Sequence, residues 1–191
     1  MAIKFTLLLI LIIVWSLIEI YLMVKDRLLS KGTTTIDRLS RLFNVIAITA
    51  ALFSPLLCLV LPSARFAEKD NPVISFTGTF IALLGFVLRY WAIITLGKSF
   101  RTTVEIDTDQ NVIRHGPYKY IRHPAYSGII LFFIGYSILS QNWASLVFSV
   151  LLPALALIYR ISVEEDAFIK FLGPEYENYR KKTKRLMPFI W

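Results

Sequence analysis

Long apolar runs constrain the fold of this chain more than any other feature of its sequence. A helix needs about 20 consecutive apolar residues to cross a hydrocarbon layer of ~30 Å, and several segments reach or approach that length. The sequence therefore predicts an all-α, polytopic membrane protein with about five transmembrane helices. The predicted spans are about Phe5–Val24, Phe43–Leu61, Val73–Leu96, a fourth that ends near Leu139, and Trp143–Tyr159.

The composition supports this class. Hydrophobic residues make up 56% of the 191-residue chain and charged residues 18%, whereas a soluble domain carries about 25% charged residues. The N-terminal run is too long for the core of a signal peptide and lacks a small-residue cleavage site, which favours a retained first span. The one cysteine, Cys58, excludes a disulfide framework and a cysteine-based metal site.

The basic residues lie between the apolar runs rather than along one face, which argues against nucleic-acid binding despite a formal net charge of +8. In the five-span arrangement, 17 basic residues fall on one side of the membrane and three on the other, with Arg89 left inside the third span. Because cytoplasmic loops are enriched in lysine and arginine, we expect the N-terminus to face outward. The C-terminus and the active site are then expected at the cytoplasmic face.

Arg89 is a separate signal. A charged side chain inside a span costs about 2.5–3.5 kcal/mol on insertion scales and is usually paired or placed in a wet cavity. The alternative is that its long side chain snorkels to the interface near Gly97, about two turns away. Both interpretations fit the sequence.

The segment from His115 to Tyr126 is the least generic part of the chain. It holds one glycine, two prolines, three tyrosines, both histidines and two cationic residues. Pro124 suits the first turn of a helix, and the free amides at such a helix start, with the positive end of its dipole, favour an anion. The sequence therefore predicts a polar site where this segment leads into the fourth span.

The last two spans form a predicted hairpin around Gln141 and Asn142. His123 lies 18 residues before Gln141, and Arg160 lies 18 residues after Asn142. An antiparallel hairpin therefore brings Arg160 to the depth of His123, and Glu164 follows Arg160 by one turn on the same helix face. These groups predict a pocket flush with the membrane surface, although an ordinary interfacial belt of arginine and tyrosine has a similar composition.

Beyond the hairpin, Gly173 and Pro174 predict a break between an amphipathic helix and a second helix from Glu175 to Lys184. Tyr176 and Tyr179 share one face of that helix, which favours either packing against the domain or contact with a cofactor. No dinucleotide-binding, phosphate-loop or nucleophile-elbow motif occurs. Two histidines eight residues apart do not predict a metal site.

Two blocks of this region resemble the signature of the isoprenylcysteine carboxyl methyltransferases. The first comprises Val112–Tyr118 and Arg122–Gly128, and the second comprises Arg160, Glu164–Glu165, Phe171–Tyr176 and Leu186–Phe189. The resemblance implies an integral membrane enzyme that uses S-adenosyl-L-methionine, with a more distant likeness to the phospholipid N-methyltransferases. It also implies two parts: three N-terminal transmembrane helices in residues 1–97 and a cofactor-binding catalytic region in residues 98–191.

The resemblance implies a role for each matching residue. The residues expected to line the cofactor pocket are Tyr118, His123, Pro124, Ala125 and Tyr126. Val112 and Ile113 are expected to hold the adenosine, and Glu105 to make a further polar contact. Glu164 matches a position at the cofactor end of the site and Arg160 one at the substrate end, and both are expected to be catalytic.

We therefore expect O-methylation of the carboxylate of a prenylated cysteine or a similar lipophilic substrate. A carboxylate is already ionised at pH 7 and needs no strong base, which fits a sequence without a catalytic triad. N-methylation of a phospholipid headgroup stays open, with Glu164 or His123 as the base. Other interpretations are an NADPH-dependent sterol or isoprenoid reductase and a non-catalytic membrane interaction protein. The expected partners are the lipophilic substrate and membrane lipids, with neither nucleic acid nor metal.

Overall fold

The computed structural model describes residues 2–29, 38–67, 70–102 and 112–187, and no residue of these ranges lies in a β-strand. The helices are α1 (Ala2–Leu29), α2 (Arg38–Phe53), α3 (Leu57–Val60), α4 (Pro72–Leu96), α5 (Pro124–Ser140), α6 (Trp143–Leu172) and α7 (Pro174–Lys182). Short 3₁₀ turns lie at Ser54–Leu56, Pro62–Ala64, Gly97–Ser99 and Gly116–Lys119.

Four helical segments are long and apolar enough to cross a membrane, and the 17-residue α5 is a shorter apolar helix. The four segments lie within α1, α2 with its following turn, α4 and α6. Large apolar side chains such as Leu17, Val87 and Ile94 are exposed on the outside of the bundle, as lipid-facing surfaces require. The chain is therefore an all-α, polytopic membrane protein, and the predicted fold class is confirmed.

The structure changes two of the predicted boundaries. The predicted fifth span and the amphipathic segment after it form one continuous helix, the 30-residue α6. At 1.5 Å per residue this helix is about 45 Å long, so it extends beyond a hydrocarbon layer of ~30 Å.

The run predicted as the second span is also not one helix. A 3₁₀ turn at Ser54–Leu56 interrupts the α-helix, because Pro55 has no N–H to continue the helical hydrogen bonds. Serine side chains form hydrogen bonds with carbonyls at this turn. Ser54 Oγ donates to the carbonyl of Ala51 (2.9 Å), and Ser145 Oγ donates to the carbonyl of Ser54 (2.9 Å).

Four glycines bring α4 and α5 into direct backbone contact. Gly78 and Gly85 on α4 lie seven residues apart, as do Gly128 and Gly135 on α5. A Cβ added at Gly85 would lie 2.3 Å from the backbone nitrogen of Phe132, and one at Gly135 would lie 2.2 Å from that of Ala82. Small residues allow such close antiparallel packing in membranes. The contact fixes the start of α5, where the site lies, against α4.

The turn between α5 and α6 is held by two polar side chains. Gln141 adopts a left-handed conformation (φ 57°), and its side-chain nitrogen donates to the carbonyl of Asn71 (3.0 Å). Asn142 caps α6 by accepting from the amide of Ser145 (3.1 Å) and donates to the carbonyl of Leu61 (2.9 Å). These bonds tie the hairpin to the two ends of the connection between α3 and α4 and set the relative depth of its two helices.

The first helix packs through one face, whose buried residues lie three, four or seven positions apart. The buried residues of this face are Lys4, Leu8, Leu11, Trp15, Leu22 and Asp26. Its centre is Trp15, whose ring stacks on Phe132 of α5 with the centroids 4.1 Å apart. Polar contacts hold α1 parallel to α4 at three levels, through Lys4–Asp70, Glu19–Arg89 and Asp26–Thr102.

Arg89 has an acidic partner inside the bundle. Its Nε and Nη2 atoms donate to the two carboxylate oxygens of Glu19 at 2.7 and 2.8 Å. The guanidinium also lies over the Trp15 ring, 5.4 Å from its centroid, which adds a cation–π contact. Snorkelling is therefore not needed to explain Arg89, because a charge within a span is tolerated when it is paired.

Candidate functional site

A cavity opens at the end of the α5–α6 hairpin opposite the Gln141–Asn142 turn. It is open to solvent at its mouth and is lined mainly by apolar and aromatic side chains, as ligand pockets are. The residues predicted for the site that line it are Val112, Ile113, Tyr118, His123, Ala125, Tyr126 and Glu164. Thus α5, α6 and the segment before α5 all contribute to one cavity.

Two of the predicted site residues that the structure describes do not line this cavity. Pro124 is fully buried in the first turn of α5, behind the wall. Arg160 is also buried, and it contacts the wall through hydrogen bonds to Tyr126 and Glu164. Glu105 lies outside the described residues.

The first part of the signature segment is clamped between α4 and α7. Gly116 has a φ of +58°, and a Cβ there would lie 3.1 Å from the side chain of Thr95, so glycine permits both the turn and the approach to α4. Tyr118 follows in the 3₁₀ turn and is buried. Its carbonyl accepts from the hydroxyl of Tyr179 on α7 at 2.7 Å.

The chain after α7 pairs with the segment that leads into α5. The amides of Arg122 and His123 donate to the carbonyls of Lys184 (2.8 Å) and Arg185 (3.0 Å). The amide of Tyr126, in the first turn of α5, donates to the carbonyl of His123. The amides of Tyr126 and Ser127 at this helix start thus already donate to the carbonyl of His123, so fewer amides are free for an anion than the sequence indicates.

Glu165 ties three parts of the site together. It is 2% exposed, and its carboxylate accepts from Arg122 Nε (2.8 Å) and from Arg185 Nε (3.1 Å). His123 Nε2 lies 3.3 Å from the same carboxylate. Arg122 Nη1 also donates to the carbonyl of Arg180 (3.1 Å), which extends the cluster to α7. Glu165 thereby binds α6 to both the signature segment and the chain after α7.

Arg160 is held from two sides. Its Nε donates to the hydroxyl of Tyr126 and to Glu164 Oε1, both at 2.9 Å, and its Nη2 donates to the carbonyl of Thr102 at 2.9 Å. The Tyr126 hydroxyl also donates to Glu164. In the described part of the chain, no group accepts a hydrogen bond from Arg160 Nη1. The guanidinium is therefore oriented while one of its nitrogens stays available.

His123 completes this arrangement. Its ring stacks on that of Tyr126 with the planes 4° apart and the centroids at 5.6 Å. Its Nδ1 lies 3.6 Å from Glu164, and its Nε2 faces Glu165. Both ring nitrogens therefore face carboxylate oxygens, and the ring forms a fixed part of the wall.

Buried tyrosines supply neutral polar groups to the wall. Burial raises the pKa of Tyr179 to about 12 and also raises the pKa values of Tyr118 and Tyr176. These hydroxyls are therefore protonated at neutral pH. The hydroxyl of Tyr179 donates to the carbonyl of Tyr118, so this residue holds α7 against the signature segment.

Several wall residues were not predicted from the sequence. They include Arg101, Phe168 and Leu172. The four-residue spacing of Phe168 and Leu172 was a visible signal, because it places both on one face of α6. Thr102 offered no such signal, since its contact with Arg160 joins residues far apart in the chain.

Together, these features define a polytopic helical membrane protein with a ligand cavity at one end of its bundle and a buried, oriented arginine beside that cavity. A family model for the isoprenylcysteine carboxyl methyltransferase (ICMT) family matches residues 78–170. This range contains α4, the signature segment, α5 and most of α6. The chain is similar to this family over that range, which is just under half of its length.

Curated relatives and a solved structure agree with this assignment. A probable protein-S-isoprenylcysteine O-methyltransferase of Oryza sativa subsp. indica is 33% identical over 124 residues, which are 64% of this chain and 65% of the rice protein. The enzyme of Tribolium castaneum is 32% identical over 124 residues, 64% of this chain and 44% of its own length. The chain thus spans less than two thirds of the length of these relatives.

The similar solved structure is described as the eukaryotic intramembrane Ras methyltransferase ICMT. It superposes with a TM-score of 0.61 at 27% sequence identity, covering 81% of this chain and 55% of that one. The likeness therefore includes more of this chain than the family model matches.

Proposed function

We propose that this protein is an S-adenosyl-L-methionine-dependent membrane methyltransferase. Its acceptor is the carboxylate of a prenylated cysteine or of a similar lipophilic substrate. The observation that carries the proposal is the Arg160 guanidinium, oriented by Tyr126, Glu164 and Thr102 with Nη1 available. The names of the curated relatives, which are protein-S-isoprenylcysteine O-methyltransferases, support the same reaction.

Arginine suits this acceptor, because its fixed N–H groups match the geometry of a carboxylate. In the proposal, Arg160 Nη1 binds one carboxylate oxygen and orients the other toward the cavity. Arg160 lies behind Tyr126 and Glu164 rather than in the cavity wall, so the acceptor and the cofactor have separate places. The main contribution of the site is proximity and alignment, for which effective molarities reach about 10⁵ M or more.

The residues that line the cavity suit S-adenosyl-L-methionine, which would supply a methyl group on a positively charged sulfonium. Val112 and Ile113 offer an apolar surface for the adenosine, and the Glu164 carboxylate in the wall would attract the sulfonium. Tyr118, His123, Ala125 and Tyr126 enclose the remainder, while Pro124 supports them from behind. Glu105 stays in the proposal as a further polar contact, on its sequence match alone.

The arrangement favours a carboxylate over an amine as the acceptor. A protonated amine must first lose a proton to a base. The Glu164 carboxylate already accepts hydrogen bonds from Arg160 and Tyr126, and each ring nitrogen of His123 faces a carboxylate oxygen. Neither group is free to act as that base, so phospholipid N-methylation is the less supported function.

The proposal places the N-terminus outside and the cavity at the cytoplasmic face. Its support is the distribution of basic residues, 17 against three. Cysteines introduced at Ser63 and Lys181, both exposed, test it after Cys58 is replaced. The first should react with an impermeant label in intact cells, and the second only after permeabilisation. The opposite pattern would reverse the orientation.

The reaction is tested with protein purified in lipid nanodiscs. Binding of S-adenosylhomocysteine and NADPH is measured first, and then transfer of a labelled methyl group to a farnesylcysteine analogue and to phosphatidylethanolamine. We expect binding of S-adenosylhomocysteine and transfer to the farnesylcysteine carboxylate. NADPH binding without S-adenosylhomocysteine binding would indicate a reductase. Transfer only to phosphatidylethanolamine would overturn the proposed acceptor, and absence of both ligands and of transfer would indicate a non-catalytic role.

A further inference from the structure

We infer that Asp26, on the first helix, is a positioning residue for Arg160 and acts on it through Thr102. The part that concerns turnover rests on the proposed function. Asp26 lies outside residues 78–170 that match the family model, and α1 carries no part of the signature. The inference therefore gives the first helix a direct role in the site.

Three hydrogen bonds connect α1 to Arg160. The amide of Thr102 donates to Asp26 Oδ2 at 2.9 Å, and the Thr102 hydroxyl donates to the same oxygen. The carbonyl of Thr102 then accepts from Arg160 Nη2 at 2.9 Å. Two donors from one residue fix its position and orientation, and its carbonyl is thereby held in place for the arginine.

Burial leaves one oxygen of the Asp26 carboxylate without a hydrogen-bond partner among the described residues. The residue is 7% exposed, and its hydrogen bonds within the described ranges all go to Thr102. Its second oxygen, Oδ1, is buried and accepts no hydrogen bond from any described residue. Leaving a buried acceptor unsatisfied costs free energy, and such local costs concentrate at functional sites.

Docking of α1 does not depend on Asp26 alone. Lys4 pairs with Asp70 near the start of the helix, and Glu19 pairs with Arg89 near its middle. Trp15 packs against Phe132 between these two levels. A substitution at Asp26 therefore leaves the apolar face and two polar contacts of α1 in place. Its expected effect is on Thr102 and Arg160 rather than on assembly of the bundle.

The negative charge of Asp26 also strengthens the hydrogen bonds that Thr102 makes. A carboxylate that accepts from an N–H group polarises the hydrogen bonds that continue from it. Asp26→Asn keeps an acceptor oxygen but removes the charge, whereas Asp26→Ala removes both. Thr102→Val removes the hydroxyl bond and keeps the backbone bonds. The three variants therefore separate the acceptor, the charge and the hydroxyl.

The test is a comparison of acceptor kinetics with cofactor binding in nanodiscs. We expect Asp26→Ala to lower kcat/KM for the farnesylcysteine analogue about tenfold or more, the size of one lost hydrogen bond to a charged group. Asp26→Asn should lose less, and the affinity for S-adenosylhomocysteine should stay near that of the wild type. Asp166→Asn, at an exposed acid on α6, is the matched control and should leave all of these constants unchanged.

A double-mutant cycle provides a readout that does not need activity. The thermal-unfolding shifts of Asp26→Ala and Arg160→Lys are measured separately and together. Non-additive shifts are expected if Thr102 couples the two sites. Additive shifts, or equal losses of acceptor turnover and cofactor binding in Asp26→Ala, would overturn the inference. If the wild type transfers no methyl group, the proposed function fails while the cycle still tests the coupling.

Discussion

Replacing Arg160 with lysine tests the central feature of the site. Arginine makes hydrogen bonds on both sides of the guanidinium, to Tyr126 and Glu164 on one and to Thr102 on the other. A lysine ammonium keeps the charge but is a single point, so it cannot serve both sides and a substrate carboxylate at once. A hydrogen bond to a charged group contributes about 1.5–3 kcal/mol.

The expected loss follows from these contacts. Lysine forfeits at least one such bond together with the fixed orientation of the donor, so we expect about 2–4 kcal/mol less transition-state stabilisation. This corresponds to a decrease of roughly 30- to 1,000-fold in kcat/KM for the carboxylate acceptor. Arg160→Ala should lose more, because it also removes the charge that pairs with Glu164.

The assay compares methyl transfer to a farnesylcysteine analogue with equilibrium binding of S-adenosylhomocysteine. Because Arg160 is not in the cavity wall, the affinity for S-adenosylhomocysteine should change by less than about threefold. Arg180→Ala, at an exposed arginine on α7, is the control for loss of a positive charge near the site. Thermal unfolding of each variant separates lost folding from lost turnover.

Equal losses of acceptor turnover and cofactor binding in Arg160→Lys would refute the reasoning. Such a result would mean that Arg160 maintains the shape of the cavity instead of binding the substrate. Unchanged turnover in a folded variant would refute it as well, because the lysine cannot reproduce the contacts to Thr102 and Tyr126 together.

Three further predictions concern the bundle. Gly85→Ala should prevent assembly of the folded protein, measured by size-exclusion chromatography, because the new Cβ would lie 2.3 Å from a backbone nitrogen of α5. The matched Gly97→Ala, with open space around it and only its positive φ of +54° to oppose it, should cost about 1–3 kcal/mol; equal effects would contradict the packing argument. Glu19→Gln should destabilise the protein by about 3–5 kcal/mol, since it leaves Arg89 buried without a charged partner, and adding Arg89→Met should recover much of the loss in thermal unfolding. The pKa of Tyr179 is raised from about 10 to about 12, so its contribution to stability is complete below pH 10 and is lost as the pH rises toward 12, by about 2 kcal/mol. Tyr179→Phe should lack this decline in unfolding experiments between pH 10 and 12, and an identical decline would contradict it.

Properties that depend on neighbouring residues were predictable from the sequence. The placement of the apolar helices follows from apolar length, because the thickness of a membrane acts on each segment separately. The break at Gly173–Pro174 is similarly local, whereas the interruption at Pro55 was not predicted. Counting along two helices from one turn also placed Arg160 and Glu164 beside Tyr126, since helical rise converts sequence distance into depth.

Contacts between segments far apart in the chain were not predictable in this way. The amides before α5 looked free, but the chain after α7 supplies their acceptors from about 60 residues away. The partner of Arg89 lies 70 residues earlier, on a helix without a signature. The seven-residue spacing of glycines on α4 and α5 was visible, yet only the structure shows that the two pairs face each other.

The sequence by itself determined that the chain is a helical membrane protein, and its motifs indicated the family and the region of the site. The tertiary structure decided what each polar group there is free to do. In the folded chain Arg122 and His123 contact Glu165, and the hydroxyl of Tyr179 donates to the carbonyl of Tyr118. Nη1 of Arg160 has no acceptor among the described residues and is available to a ligand. The reason is physical: a residue's type sets which bonds it can make, whereas packing of distant segments determines which of those bonds are already made.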